Sequence, residues 1–359
     1  MNVDVVVIGA GQAGLSAAFH LRRLGFRPFD DFVVLDSNAS PGGAWQHRWN
    51  SLTMADVHGI ANLPELPVPE AAAAERANDF VPHYFADYEQ RFELPVIRPV
   101  TVDAVHDGDR LDVVTSDGTW NARAIINATG TWTRPFVPRY PGADTFRGRQ
   151  LHTADYRGAH EFAGQHVVVV GGGASAVQLL AEISEVATTT WVTRRPPIWR
   201  DDDFTPEVGR AIVAMVDERV RAGLPPRSVV SVTGLHLREQ ERAAAERGAY
   251  ERHPMFSRVT PDGVTWDDGR EQRADAILWA TGFRAALAHL APLRLRGPAG
   301  GITMDGTRVV HDPRIQLVGY GPSASTIGAN RAGRAAAVEI RNLLRDKDSN
   351  LVGGLPRTA

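Results

Sequence analysis

Two β-branched runs that each break into a glycine-rich turn, together with an Ala-Thr-Gly segment that occurs twice, predict an α/β fold of two dinucleotide-binding (Rossmann-like) domains, the second inserted into the first. The first run is Val5-Val6-Val7-Ile8, followed by Gly9-Ala10-Gly11-Gln12-Ala13-Gly14; the second is Val167-Val168-Val169-Val170, followed by Gly171-Gly172-Gly173-Ala174-Ser175-Ala176. Continuous apolar runs of this kind suit parallel strands buried on both faces, each opening onto a helix N-terminus. One such turn is a weak motif, but Gly171 follows Gly9 by 162 residues, a domain-scale repeat. Two cradles for dinucleotides in one chain imply electron transfer between two cofactors.

The chain in order supports this layout. Gly9, Gly11 and Gly14 serve the tight turn, the close approach of backbone to a pyrophosphate and the packing of helix on strand. The helix that follows ends at Gly25, and Phe32-Val33-Val34-Leu35 forms the next strand. Asp36 closes that strand 22 residues past Gly14, the offset of an acid that accepts from ribose hydroxyls. A carboxylate there repels a 2′-phosphate, so the first site is expected to take FAD or NAD. Ser40 to Trp45 reads as a turn-rich loop, Leu63 to Pro69 as extended coil, and Pro82 to Phe92 as a helix whose aromatics serve the core. Val100 to Ile126 alternates as a small β-meander with turns at Asp107-Gly108 and Asp117-Gly118.

The meander ends in Ala128-Thr129-Gly130, and the same ending recurs at Ala280-Thr281-Gly282 after a hairpin region with turns at Asp262-Gly263 and Asp268-Gly269. The repeat marks two crossings between domains. The expected segments are 1–155 and 281–359 for the first domain and 156–280 for the insert. Inside the insert a strand over Thr189 to Thr193 delivers Arg194 and Arg195, 18 residues past Ala176, where guanidinium groups pair with a 2′-phosphate and select NADP. Asp201-Asp202-Asp203 reads as a solvated run and not a metal site. Pro206 to Ala222 reads as an amphipathic helix with an apolar stripe through Val208, Ile212, Met215, Val216 and Val220. A last strand from Ile315 to Gly321 precedes a helix over about Ala329 to Arg345, whose N-terminus would favour negative charge on a reduced flavin, and a frayed tail from Lys347.

Composition removes several classes. The 359 residues contain no cysteine, which excludes disulfide, thiolate-metal, iron–sulfur and dithiol chemistry. The net charge of −3 comes without any basic run, so no nucleic-acid or anionic-membrane partner is expected. No apolar run approaches the roughly 18 residues of a membrane span, and the N-terminus enters a strand directly, so the expected location is cytoplasmic.

With these motifs in place, the chain resembles the flavin-containing monooxygenases, in particular their short bacterial members. Phe146-x-Gly148-x-x-x-His152-x-x-x-Tyr156 is similar to that family's fingerprint ahead of the NADP glycines, Gly42-Gly43-Ala44-Trp45 to its loop at FAD, and the two Ala-Thr-Gly segments to its linkers. The resemblance implies that Gly43, Trp45, Gln46 and His47 sit against FAD, that Val102 meets the adenine through its backbone, and that Thr129, Gly130 and Gly321 complete that site. It assigns Gly171, Gly173, Ser175, Arg194, Arg195, Thr281 and Gly282 to NADP, and Met54 and Ala55 to the substrate pocket.

The implied chemistry is NADPH-dependent transfer of one atom of O2 through a C4a-hydroperoxyflavin to a soft nucleophile, by thioether sulfoxidation or amine N-oxygenation. NADH is a weaker donor, no side chain is a catalytic acid or nucleophile, and His152 is a structural hydrogen-bond post. Two departures stand out: Ala55 replaces a common asparagine, and the fingerprint ends in Tyr156-Arg157 where the Baeyer–Villiger branch usually has tryptophan followed by proline or aspartate. Baeyer–Villiger oxygenation of small ketones is the alternative, and a flavin redox sensor or NADPH oxidase without oxygen transfer the second. A homodimer is a family expectation.

Overall fold

The computed structural model describes residues 1–57, 60–199, 206–226, 234, 235, 237 and 239–353. Strand β1 (Asn2–Ile8) is fully buried over its second half because both faces are covered, and it runs into helix α1 (Gln12–Arg23) through the first glycine turn. Strands β2 (Phe32–Leu35), β3 (Val96–Ile97), β4 (Val102–His106), β5 (Leu111–Thr115) and β6 (Gly118–Asn127) follow, with helix α2 (Ala77–Arg91) before β3. The inserted stretch contributes β7 (Arg149–His152), β8 (His166–Val170), helix α3 (Ala174–Ile183), β9 (Thr188–Thr193), α4 (Pro206–Arg221), α5 (Glu239–Glu246), β10 (Arg252–Pro254), the short strands β11 (Arg258–Thr260), β12 (Gly263–Thr265) and β13 (Glu271–Arg273), and β14 (Ala276–Trp279). The chain closes with β15 (Met304–Asp305), β16 (Arg308–Val309), β17 (Ile315–Leu317) and α6 (Thr326–Gly353).

These elements build two main sheets, the first parallel at its centre with antiparallel flanks and the second wholly parallel. In the first the order is β15-β16-β17-β6-β1-β2-β3, with the antiparallel pair β4 and β5 branching from β6. In the second it is β10-β9-β8-β14-β7, and β11 to β13 form a separate three-stranded sheet. The fold is therefore α/β with two Rossmann-like sheets, the second formed by chain inserted between strands of the first. Arg149–His152 lie before residue 156, where the insert was expected to begin, yet they pair with Ala276–Trp279 as the edge strand of the second sheet. The fingerprint thus contributes a strand as well as a motif.

Each sheet is packed on both sides. Helices α1, α2 and α6 cover one face of the first sheet with Leu15, Phe19, Phe85, Tyr88 and Ile340, all buried. The aromatics of α2 serve this core as expected, and Tyr84 also accepts from Leu63 N at 2.7 Å and donates to Leu66 O at 2.6 Å, fixing the proline-spaced coil. Helix α6 runs to Gly353, so the segment expected to fray from Lys347 is helical over its first turns.

Two elements cross from one body to the other. Helix α4 lies in the inserted stretch, but Val220 is buried in the first sheet's second core. A side chain at Gly321 would meet Val220 Cγ1 at 2.9 Å, and Gly301 N donates to Gly223 O at 3.1 Å, just past the helix end. Of the expected apolar stripe of α4, Val216 and Val220 are buried and Met215 is 51% exposed, while the side chains of Val208 and Ile212 lie outside the described residues. In the opposite sense, Trp49 and Leu52 join the core of the second sheet beside Leu151, Tyr156 and Phe162.

The two Ala-Thr-Gly segments are clamped to each other. Thr129 Oγ1 donates to Ala286 O at 2.7 Å, and Thr281 Oγ1 donates to Phe136 O. The backbone repeats the exchange: Ala286 N donates to Gly130 O and Phe136 N to Gly282 O, both at 2.9 Å, with an antiparallel bridge between Pro135 and Phe283 at the centre. Each linker therefore uses its threonine to hold the other.

Replacing Thr129 or Thr281 with valine is expected to cost about 1–2 kcal/mol each in urea unfolding, since a carbonyl loses its hydroxyl donor. Because both residues pin the same pair of strands, the double variant should depart from additivity by about 0.5 kcal/mol or more; strict additivity would show that the linkers act independently.

Candidate functional site

The carboxyl ends of the parallel strands in both sheets meet at the linkers, which is where open α/β sheets bind their ligands. The two glycine turns are built alike. Gly9 N donates to Leu35 O at 2.7 Å and Ala128 N to Ile8 O at 2.8 Å; in the second turn Gly171 N donates to Val192 O at 3.0 Å and Ala280 N to Val170 O at 2.8 Å. A Cβ on Gly9 would lie 2.7 Å from Ala128 O, and one on Gly171 would overlap Ala280 O. The alanine of each Ala-Thr-Gly segment thus abuts the first glycine of its own turn, which gives the echo in the sequence a packing cause.

The middle glycines behave differently. A Cβ at Gly11 or at Gly173 would meet nothing within 4 Å, and each residue is the N-cap of its helix without a side-chain cap. Unfilled space in front of uncapped backbone N–H groups is what a pyrophosphate needs. The residues present fit two dinucleotides. Gly14, by contrast, lies hard against Gly9 O and is required by packing.

Asp36 is 3% exposed. Its Oδ2 accepts from Ala10 N at 2.7 Å, and its Oδ1 from Asn38 N at 2.7 Å and Asn38 Nδ2 at 2.8 Å. It therefore staples β2 to the turn, using three of the roughly four lone-pair sites of a carboxylate. Val100 N donates to Asp36 O at 2.8 Å, so the start of β4, with Val102, comes up beside the same corner. Gly43 packs on Gly11, its Cβ position being 2.9 Å from Gly11 Cα. This lays Trp45–His47, one 3-10 turn, over the first cradle. Gln46 Nε2 donates to Ser40 O at 3.1 Å and Gly43 O at 3.2 Å, and His47 Nε2 pairs with Asn38 Oδ1 at 2.7 Å.

An aromatic chain joins the two bodies. Trp132, two residues past Gly130, stacks on Phe283 with centroids 5.0 Å apart, and Phe283 meets His152 edge-on at 4.8 Å. Ala154 N donates to His152 Nδ1 at 3.1 Å, so Nε2 carries the hydrogen and donates to Gly282 O at 2.9 Å. Burial lowers the His152 pKa, which keeps that neutral tautomer. Tyr156, at the end of the fingerprint, donates to Glu182 Oε2 at 2.9 Å. Ser51 donates to the same oxygen at 2.6 Å and Trp49 Nε1 to Oε1 at 3.2 Å. Glu182 on α3 thereby collects donors from both bodies, and burial raises its pKa.

Thr129 and Thr281 spend their hydroxyls on the clamp. Gly321 is accounted for by the packing of α4. Ala55 is exposed, and Met54 bridges the cores of both sheets. Arg194 and Arg195 are exposed at the end of β9 and make no ion pair among the described residues. A third arginine that no sequence motif marks, Arg252 on β10, donates to Thr193 Oγ1 at 2.8 Å and Thr193 O at 3.2 Å, adding charge at the same edge. Nothing in the periodicity signals β10. Asp201-Asp202-Asp203 lies outside the described residues. Among the described residues there is no histidine and carboxylate group suited to a metal, and no helix long and apolar enough to cross a membrane.

A family model described as pyridine nucleotide-disulphide oxidoreductase matches residues 6–292. A flavin-containing monooxygenase from Stenotrophomonas maltophilia is 41% identical, with 96% of this chain and 99% of that one superposed at a TM-score of 0.81. The chain belongs to the flavin-containing monooxygenases within that wider family. As one of them it is an oxidoreductase whose cofactors are FAD and a pyridine nucleotide, while the lack of cysteine leaves the disulphide part of the wider description without a counterpart. A Baeyer–Villiger monooxygenase from Streptomyces coelicolor is 33% identical over 217 residues, 59% of this chain and 40% of that protein. An uncharacterized CzcO-like oxidoreductase from Geobacillus kaustophilus is 25% identical over 78% of this chain and 80% of its own length. Cyclohexanone monooxygenase, at 18% identity and a TM-score of 0.65, shares the fold.

The contrast between the glycines gives a direct test. Gly11→Ala should keep the unfolding temperature of the flavin-free protein yet purify colourless, whereas Gly14→Ala should lower that temperature as well; equal melting of the two would show that the open space at Gly11 is not a cradle. Glu182 supplies a pH test. Its raised pKa means that the folded state holds a proton the unfolded chain has released, so its contribution to stability is full below the ordinary carboxylate range and is lost as pH rises through the folded value. The melting temperature of Glu182→Gln relative to the unsubstituted protein should therefore climb as pH rises from that range toward neutrality, and a flat difference would remove the charge of Glu182 as its cause.

Proposed function

We propose that this flavin-containing monooxygenase uses NADPH in preference to NADH and oxygenates soft nucleophiles, thioethers first and amines second. The observation that carries the reading is the pair of open cradles at Gly11 and Gly173 brought to one cleft by the linker clamp and by the His152 to Gly282 bond. In this reading residues 1–127 with 304–353 form the FAD-binding body and the sheet of β7 to β10 and β14 the NADP-binding body.

Activation of O2 and its transfer to substrate are supplied by the flavin once it has been reduced by the nicotinamide nucleotide. The chain's own residues bind, orient and enclose. The N–H groups at the start of α1 would hold the FAD pyrophosphate, Asp36 would offer its remaining acceptor site to a ribose, and Trp45 to His47 would cover that site. The N–H groups at the start of α3 hold the second pyrophosphate, where Arg194, Arg195 and Arg252 meet a 2′-phosphate. Trp132 and Phe283 close the gap between the bodies and exclude water. His152, held neutral, transfers no proton; it fixes Gly282.

The thioether preference rests on the tyrosine form of the fingerprint. The similarity to a Baeyer–Villiger monooxygenase makes ketone oxygenation the reading to separate from it. Incubating the holoenzyme with NADPH, O2 and either methyl phenyl sulfide or cyclobutanone should give sulfoxide as the main product. A lactone in excess would install the ketone reading, and hydrogen peroxide with neither product would reduce the protein to an oxidase. For the nucleotide, converting Arg194 and Arg195 to alanine should raise the KM for NADPH at least tenfold more than that for NADH, since charge-assisted hydrogen bonds contribute about 1.5–3 kcal/mol each. Equal increases would refute the phosphate role.

A further inference from the structure

We propose that Arg48 is a receptor for an organic carboxylate, so that the cleft favours substrates carrying an acid group as well as the atom to be oxygenated. The inference deepens the monooxygenase reading above and rests on it. Arg48 follows the loop over the first cradle, and its guanidinium carbon lies 4.8 Å from the centroid of Trp132 and 5.7 Å from that of Trp45. Trp132 in turn stacks on His47 and on Phe283. The guanidinium is thereby held in the aromatic seam between the two bodies.

No acid answers it. Its Nε is buried without a hydrogen-bond partner, and none of its side-chain nitrogens meets an acceptor among the described residues. Arg98 shows how the same fold treats a cation that is only structural: it forms a two-pronged pair with Glu89 at 2.6 and 2.8 Å. Desolvation lowers the Arg48 pKa to about 10, which still leaves the group charged at neutral pH. Contact with aromatic faces offsets part of the cost of removing a cation from water and leaves the donor edge of the fork unused. A retained charge with an unused planar edge is complementary to a carboxylate.

The phosphates of the two dinucleotides have separate cradles at Gly11 and Gly173 and do not need this group. A side-chain bond from Asn78 Nδ2 to Arg48 O at 3.1 Å anchors the backbone and leaves the guanidinium itself to the ligand.

The test compares para-(methylthio)benzoic acid with its methyl ester on the FAD-loaded enzyme with NADPH. The acid should have the higher kcat/KM, and Arg48→Met should lower the acid-to-ester ratio by about 10-fold to 100-fold, mainly through KM for the acid. Arg48→Lys, which keeps the charge but not the fork, should fall between. Benzoate, titrated by the change it makes in flavin absorbance, should bind to the unsubstituted protein and at least tenfold more weakly to Arg48→Met. A ratio near one that neither variant changes would overturn the proposal. So would loss of flavin or a shifted flavin reduction potential in Arg48→Met with the ratio preserved, which would give the guanidinium to the cofactor. Arg48-dependent binding of benzoate without turnover of either thioether would keep the receptor and sink the oxygenase reading.

Discussion

The reciprocal clamp between the two linkers is the constraint on which the architecture depends. A chain that leaves one sheet, builds another and returns must cross the gap twice, and the two crossings here are not separate tethers. The hydroxyl of Thr129 holds the strand after the second crossing, and the hydroxyl of Thr281 holds the strand after the first. With the bridge at Pro135 and Phe283, the crossings form a short antiparallel ribbon. The relative orientation of the cradles is therefore set by hydrogen bonds local to the linkers, and His152 and Glu182 reinforce it from either side.

The glycine turns show how one backbone solution can be used twice for different partners. In both, the strand-end alanine of the neighbouring linker presses on the first glycine, while the middle glycine faces open space. What differs is the residue at the end of the next strand. Asp36 is turned in upon Ala10 and Asn38, whereas Arg194 and Arg195 stand outward beside Arg252. Under the proposed assignment, the buried carboxylate and these arginines would present opposite potentials to the riboses they face, an electrostatic basis for two unlike cofactors in two similar folds.

Much of this was legible in the sequence because it depends on local spacing. Strands β1, β2, β8 and β9 are continuous apolar or β-branched runs, and the glycine offsets fix the cradles. The linkers were visible as a repeat, but their threonines looked like nucleotide contacts. Only the antiparallel run of 129–136 against 281–286 shows that each hydroxyl donates to a backbone carbonyl of the opposite strand. Glu182, Trp49 and Tyr156 come from three distant parts of the chain, and no periodicity relates them. Arg48 was similarly hidden, since an unpaired cation can be recognised only when its surroundings are known. Strand β10 is three residues long and gave no pattern to read. Helix α4 was found by its amphipathic spacing, but which body it covers was not encoded in that spacing.

The seat of α4 has a consequence for how these proteins recombine. By sequence the inserted stretch looks like a cassette that lies between two Ala-Thr-Gly borders. Physically, one of its helices is a component of the host body, lodged against Gly321 and Gly301 through Val220 and Gly223. A chimera that exchanged the whole cassette between relatives would bring in a foreign helix against a native seat. A graft that retained residues 206–226 from the host would keep that joint intact, so the natural unit of exchange is smaller than the borders suggest.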